Sequence, residues 1–394
     1  MKALLISYFD STNIGDQLIY NTIEKELMSD ITVIKYCYDF TKAENIILPK
    51  MYKKRTIFQK IYGLFFKKSH FFQMIVAFFK RRKIDEKKIN DFIKELKQVD
   101  IVVLGGGNAI FDLSAYTAGF EAFDKIVSLA KEEQKKIFAV GIGIGPFITN
   151  KQQFNAIKTL QKCDIITFRD YKSYQYVVGT AVESSAYLLA DPVFSLEERT
   201  KKRYTDTKYN VGFCIIDYYI TGATKKEVDK YLNDTLYLIR KLLLMDDEIE
   251  ITLFSSELND YEYVIKLKKM LKFENRVRLA YISTPDNLLD LYQTLDVVVG
   301  TRMHSMIIAV SQSIPIIGFS WQQKVSEMFT MIDCPNDVYD ITCLDTFYDD
   351  ILTNITWKVI EDPDHEKEKI TLVKERMKQL FNKNQQLFKE MLME

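Results

Sequence analysis

Residues 296–320, DVVVGTRMHSMIIAVSQSIPIIGFS, constrain the fold more than any other stretch of the chain. A β-branched apolar run (Val297, Val298, Val299) ends at Gly300 and Thr301, gives way to a helix of small and apolar residues, and is followed by a second apolar run around Ile314 to Phe319. This is a strand–turn–helix–strand unit with both strands buried, the repeating element of an open α/β sheet. Arg302 and His304 stand where strand gives way to helix, on the sheet edge where such folds bind ligands. The free N–H groups of the helix's first turn add anion-binding power there. His304 is one of only three histidines.

The same unit recurs along the chain. Strands are expected at 2–9, 31–38, 100–107, 136–146 and 164–170, with helices inside 14–28, 89–98 and 120–133. A second series follows the polar, basic run LEERTKKRYTDTK. Its strands fall at 210–217, 249–256, 276–281, 296–301 and 314–320, and its helices at about 224–245, 259–273, 284–294, 303–312 and 321–331. The chain closes on a long amphipathic helix. A length of 394 residues calls for two cores of about 200 residues each. The expected architecture is α/β, with two Rossmann-like doubly wound domains facing across a cleft: 1–203 and 204–362, with 363–394 as a helix packing back towards the first.

Composition excludes several function classes. A formal net charge of zero argues against a nucleic-acid partner. Five scattered cysteines without a Cys-x-x-Cys pair favour a reducing compartment and argue against a zinc cluster. The N-terminal apolar run is short and meets no cleavage-site pattern, and no apolar run approaches the roughly 20 residues of a spanning helix. A cytoplasmic protein is expected. One segment departs from this picture: residues 50–83 hold eleven Lys/Arg, nine aromatics and no acid. That pattern fits interfacial contact with a membrane, which would place the protein peripherally at the inner face of the plasma membrane. It equally fits a helical hairpin whose aromatics pack on the sheet. Both readings stay open on sequence alone.

Three glycine-bearing turns follow strands of the first series: Asn13 to Asp16, Gly105-Gly106-Gly107-Asn108, and the 141–146 run GIGIGP, which includes Gly143. Glycine permits positive φ and close backbone approach, so consecutive N–H groups can turn towards an anion. None of the three matches G-x-G-x-x-G, and no P-loop lysine is present, which disfavours a dinucleotide cofactor. Arg169 and Asp170 end a further strand. The arginine can fork onto a carboxylate or phosphate, or form a surface ion pair with a nearby carboxylate. Asp191-Pro192 reads as a turn-former. Arg302 and His304, two residues apart, would point about 200° apart inside a regular helix, so both reach a cleft only from its non-helical entry. Lys324 adds a cation after the next strand, or is simply solvated in a helix's first turn.

Together the N-x-G-D run (Asn13 to Asp16), GGGN (Gly105 to Asn108), GIGIGP, F-R-D-x-x-S (Phe168 to Ser173), Asp191-Pro192, G-T-R-x-H (Gly300 to His304), P-x-x-x-F (Pro315 to Phe319) and Lys324 resemble the polysaccharide pyruvyl transferase family over roughly residues 1–350. The resemblance implies a glycosyltransferase-B-like fold, no metal and no cofactor. It also implies transfer of a pyruvyl group from phosphoenolpyruvate to a sugar of a glycan or lipid-linked oligosaccharide, as a ketal. It maps the family's histidine to His304, as proton donor to the methylene carbon, and its carboxylate-binding arginines to Arg302 and Arg169. Asp16 then orients or deprotonates the acceptor hydroxyl. Lys324, Asn13, Gly105, Gly106, Gly107, Asn108, Gly143 and Ser305 complete the candidate substrate-binding set. Trp321-Gln322-Gln323 departs from relatives with a tyrosine-containing run before the lysine. The same fold would also accommodate a nucleotide-sugar-dependent glycosyltransferase.

Overall fold

A computed structural model describes residues 1–49, 51–52, 85–200 and 209–393. The basic aromatic stretch 50–83 lies, apart from Met51 and Tyr52, outside the described residues. Two wholly parallel sheets form the frame. The first holds β1 (Lys2–Ile6), β2 (Thr32–Tyr36), β3 (Ile101–Gly105), β5 (Lys136–Ile144), β6 (Ile165–Phe168) and β7 (Ala186–Leu188), in the order β2-β1-β3-β5-β6-β7, with β4 (Asn108–Ile110) against β5. The second holds β8 (Tyr209–Cys214), β9 (Ile249–Phe254), β10 (Val277–Leu279), β11 (Val297–Gly300), β12 (Ile316–Ser320) and β13 (Val338–Asp340), in the order β10-β9-β8-β11-β12-β13. That is the 3-2-1-4-5-6 order of a Rossmann sheet.

Chain direction across each sheet reverses at one place: between β1 and β3 in the first, and between β8 and β11 in the second. At such a switch point neighbouring loops diverge and leave a crevice at the carboxyl ends of the strands. Helices α1 (Ile14–Leu27), α2 (Glu86–Leu96), α3 (Phe120–Glu132), α4 (Asn150–Leu160) and α5 (Tyr171–Gln175) serve the first sheet. Helices α6 (Lys225–Met245), α7 (Tyr261–Met270), α8 (Pro285–Tyr292), α9 (Met303–Ser311), α10 (Gln323–Met331) and α11 (Tyr348–Thr356) serve the second. β3 and β11 are buried along their whole length, as covering on both faces requires.

α12 (Pro363–Met393) ties the two halves together. Near its start Lys374 Nζ meets Glu198 Oε2 at 2.5 Å. Near its end Phe388 stacks on Phe138 of β5 with ring centroids 5.7 Å apart, and Gln385 donates to the Glu26 carbonyl on α1. One continuous apolar core therefore runs from Ala3 and Leu5 through β8–β12 to Met391.

Elements of three residues escaped the sequence pattern: β4, β7 and β13. A helix at 150–160 escaped it too. Its buried positions include Gln152 and Thr159, so its inner face does not read as an apolar stripe. It announces itself instead by a capping box, Thr149 with Gln152.

Candidate functional site

The two switch points face each other. From the first, the β1–α1 loop crosses to the second half: Ile14 N donates to Ser256 O at 2.8 Å, Thr12 Oγ1 to Glu257 Oε1 at 2.5 Å, and Asn13 forms an isolated bridge with Glu257. From the second, α9 begins at Arg302, which has extended backbone (φ −99°, ψ 123°) and no side-chain cap. His304, in the helix's first turn, is 7% exposed and lies against α1. A Cβ built on Gly15 would stand 2.3 Å from the His304 Cβ, Cγ and Nδ1. Only glycine leaves room for that ring.

On its other side the imidazole meets a buried ion pair. Arg169 Nη1 donates to Asp191 Oδ2 at 2.6 Å, both side chains being almost fully buried. The same Nη1 stands 3.0 Å from His304 Nε2, and Asp191 Oδ2 stands 3.5 Å from it. A guanidinium has no acceptor, so Nε2 can bond Arg169 only when it carries no proton, and a proton on Nε2 would instead point it at Asp191. Burial opposes the charge on Asp191, but the Arg169 guanidinium, and the His304 ring when it is protonated, outweigh it and hold the carboxyl well below the usual carboxylate range. Asp191 also caps Val193 N through Oδ1 at 3.0 Å. The turn-former read from sequence is therefore the central carboxylate of the site, and sequence reasoning missed it.

Lys324, on the first turn of α10, forms no hydrogen bond or ion pair among the described residues. Burial, with Arg169 beside it, pushes its ammonium down to about 8, against the pull of Asp16 and Asp170. Asp16 accepts from Ser11 Oγ at 2.7 Å and is only half-buried. Asp170 caps α5 through Ser173 N at 2.8 Å. Gly143 sits where a Cβ would fall 2.8 Å from Asn108 Oδ1 and 3.4 Å from both Arg169 Nε and Asp170 Oδ2. Contacts and charge interactions thus bring Arg169, Asp170, Gly143, Asn108, Asp16, Gly15, His304 and Lys324 together where the two halves meet.

Several residues of the expected site already have partners within the protein. Arg302 is not an unengaged clamp: its Nε and Nη2 both bond Asp260, at 2.8 Å each, and Asp260 in turn accepts from Asp217 N and Ser255 Oγ. Burial disfavours the Arg302 charge, but the Asp260 carboxylate outweighs it and raises its pKa. Ser305 does not line the crevice: it is fully buried and its hydroxyl donates to the Arg302 carbonyl at 2.6 Å. Asn13 is spent as the N-cap of α1, accepting from Gly15 N at 2.9 Å. Gly105 and Gly106 face α1 rather than a ligand, since Cβ atoms there would meet Ile23 at 3.0 Å and Ile19 at 2.1 Å. Gly107, at φ 72°, faces the Tyr8 ring. Asn108 holds the loops together, its Nδ2 donating to the Gly145 carbonyl at 3.1 Å. Trp321 supports the turn before Arg302, its indole donating to Thr301 O at 2.9 Å.

Two facing Rossmann-like units with a crevice at their switch points define a glycosyltransferase-B-like protein. Solved structures agree on the fold. UDP-GlcNAc 2-epimerase of Neisseria meningitidis, bound to UDP-GlcNAc, superposes with a TM-score of 0.59 at 10% identity over 100% of both chains. HepE of Anabaena, in complex with UDP and glucose, gives 0.57 at 11% identity over 100% of this chain and 99% of that one. The sequence profile described as polysaccharide pyruvyl transferase matches residues 13–323. The chain belongs to that family and is a transferase acting in polysaccharide modification. No helix among the described residues is long and apolar enough to cross a membrane.

Proposed function

We propose that this transferase moves a pyruvyl group from phosphoenolpyruvate to two hydroxyls of one sugar, in a cell-surface polysaccharide or its lipid-linked precursor, forming a ketal. The observation that carries the reading is the contact of Arg169 with both Asp191 and His304. It couples an anion-binding guanidinium to the protonation of an imidazole.

The residues divide the work as follows. Lys324, unpaired among the described residues, and the Nε–Nη2 edge of Arg169, which has no hydrogen-bond partner among them, attract the donor's phosphate and carboxylate. An anion that draws Arg169 towards itself frees Nε2. A proton taken up there is held by Asp191, so the ring becomes an imidazolium. His304 then delivers a proton to the methylene carbon of the donor, leaving C2 electrophilic. One sugar hydroxyl adds to C2 and gives up its proton, and the C2–O bond to phosphate breaks. The second hydroxyl closes the ring and gives up its proton, so the products are the ketal and inorganic phosphate. Asp16 accepts a hydroxyl proton or orients the acceptor. Protein cations carry the anionic charge in this scheme, with neither metal nor organic cofactor. The protein acts in the cytoplasm, where the donor is made.

Incubation with phosphoenolpyruvate and a glycan acceptor should release inorganic phosphate, and His304→Gln should abolish that release. Release of nucleoside diphosphate from a nucleotide sugar instead, or phosphate release untouched by His304→Gln, would overturn the reading in favour of glycosyl transfer or of a different acid.

A further inference from the structure

Ketal formation removes protons from two sugar hydroxyls, and Asp16 accounts for only one of them. Two neighbouring carboxylates are already bonded through both oxygens. Asp170 accepts from Ser173 N through Oδ1 at 2.8 Å and from Ser173 Oγ through Oδ2 at 2.9 Å. Asp191 accepts from Val193 N through Oδ1 and from Arg169 through Oδ2. Glu327 is different. It lies on α10 three residues after Lys324 and four after Gln323, spacings that share one helix face. That face meets α5 of the first half, where Lys172 Nζ donates to Gln323 Oε1 at 2.5 Å. Asp170 acts electrostatically on Lys324 and on Glu327 alike. Glu327 also acts on the Tyr176 hydroxyl, and a Cβ built on Gly145 of the GIGIGP loop would fall 2.6 Å from Tyr176 Cε2. Its contacts therefore lie across the crevice, on the first half. The side chain is half-buried, and its Oε2 is enclosed without a hydrogen-bond partner among the described residues. Native proteins seldom leave a carboxylate oxygen so placed, and a catalytic task is one of the few reasons for it. Burial raises the Glu327 pKa and Asp170 adds to the rise, against the pull of Lys172, which strengthens the carboxylate as a base.

We propose that Glu327 takes the proton of the second sugar hydroxyl, the one that closes the ketal ring. This role rests on the pyruvyl-transfer reading and adds a second base to it. Once phosphate has left C2, the second hydroxyl oxygen adds to that carbon while its proton passes to a Glu327 carboxylate oxygen. Of the two hydroxyl protons, one replaces the proton that His304 gave to the methylene carbon and the other leaves with phosphate, so the enzyme returns to its starting state. The Lys172–Gln323 contact beside Glu327 is polar and lies at the surface, so an acceptor parts it without disturbing an apolar core. Asp16 on α1 and Glu327 on α10 thus serve one hydroxyl each, from opposite halves.

The full chain is incubated with phosphoenolpyruvate and with surface polysaccharide freed of ketals by mild acid, and phosphate, free pyruvate and ketal are measured together. Wild type should form one ketal per phosphate. In Glu327→Gln the second hydroxyl adds slowly and water takes its place at C2, giving a hemiketal that falls back to acceptor and pyruvate. Phosphate release should therefore stay within about threefold of wild type while the ketal-to-phosphate ratio drops roughly tenfold or more and pyruvate makes up the difference. Asp16→Asn should instead lower phosphate and ketal in step. Glu327→Asp, which keeps a carboxylate, should restore part of the ratio, and thermal unfolding should show both Glu327 variants folded. A wild-type ratio in Glu327→Gln, or an equal loss of phosphate and ketal, would overturn the role of Glu327 and leave the pyruvyl-transfer reading standing. A wild type that forms no ketal would overturn that reading and this role with it.

Discussion

Asp191→Asn isolates the charge at the centre of the site. Asparagine keeps the shape, but its single oxygen can serve either Val193 N or Arg169 Nη1, so the change removes the negative charge facing Arg169 at 2.6 Å and one of the two acceptors. Both partners are almost fully buried, with side-chain exposures of 5 and 2%. Removing one member of such a pair strands the other, and the cost is about 3 kcal/mol, the lower end of the range for broken buried pairs because the amide oxygen still accepts a bond. The pH dependence has a fixed sign. The folded-state pKa of Asp191 is depressed well below the unfolded value of about 3.9. Its contribution is therefore complete above roughly pH 5 and lost as the pH falls through the folded pKa. Urea unfolding of wild type and variant from pH 7 down to pH 3 should show a constant stability gap that begins to narrow only below about pH 4. Phosphate release at pH 7 should fall by at least roughly tenfold, because a protonated Nε2 no longer has a charged partner. A variant as stable as wild type at pH 7, or a gap that widens in acid, would refute the reasoning.

Two further outcomes follow from the same geometry. Gly15→Ala places a methyl group 2.3 Å from three atoms of His304. The resulting overpacking should cost about 1–3 kcal/mol, and the displaced imidazole should lower kcat/KM about a hundredfold, read by thermal unfolding and phosphate release. Wild-type kinetics in this variant would mean that His304 does not act from the position seen here. Lys324, with its ammonium pushed down to about 8, is charged below that pH and neutral above it. In the free enzyme kcat/KM for phosphoenolpyruvate should therefore decline as the pH rises through about 8, and Lys324→Met should be slow throughout and lose that limb of the profile. A limb that persists in Lys324→Met would assign it to another group.

Much of the frame is legible in the sequence because parallel strands must be covered on both faces. Val297 to Val299 and Ile101 to Leu104 show this as unbroken apolar runs. What stayed hidden depends on pairing across long separations. Nothing near Asp191 in sequence distinguishes a capping aspartate from one that also holds an arginine, because Arg169 and His304 reach it only after β6 and β11 are in place. Asp260 was hidden for the same reason: it sits within an expected helix, and its four donors come from Arg302, Asp217 and Ser255. The glycines show the converse. Gly15, Gly106 and Gly143 stand out equally in sequence, yet one makes room for a histidine ring, one for Ile19 of α1, and one for the approach of Asn108 and Arg169.

This division explains how the site is built. The first half contributes Arg169 and Asp191, already paired, and the second contributes His304, whose Nε2 that pair engages. Neither half alone fixes the ring. Without α1 the space beside Gly15 is open, and without α9 the Arg169 Nη1 has only Asp191 to bond. The histidine's position is therefore set by the contact between the halves, and that contact is made where the β1–α1 loop is stitched to Ser256 and Glu257. Weakening the stitch with Glu257→Ala should act on catalysis through His304 while leaving each sheet's own packing intact. The sheet edge that looked like a generic anion site from sequence is thus one half of a composite site, completed only when the two halves of the chain meet.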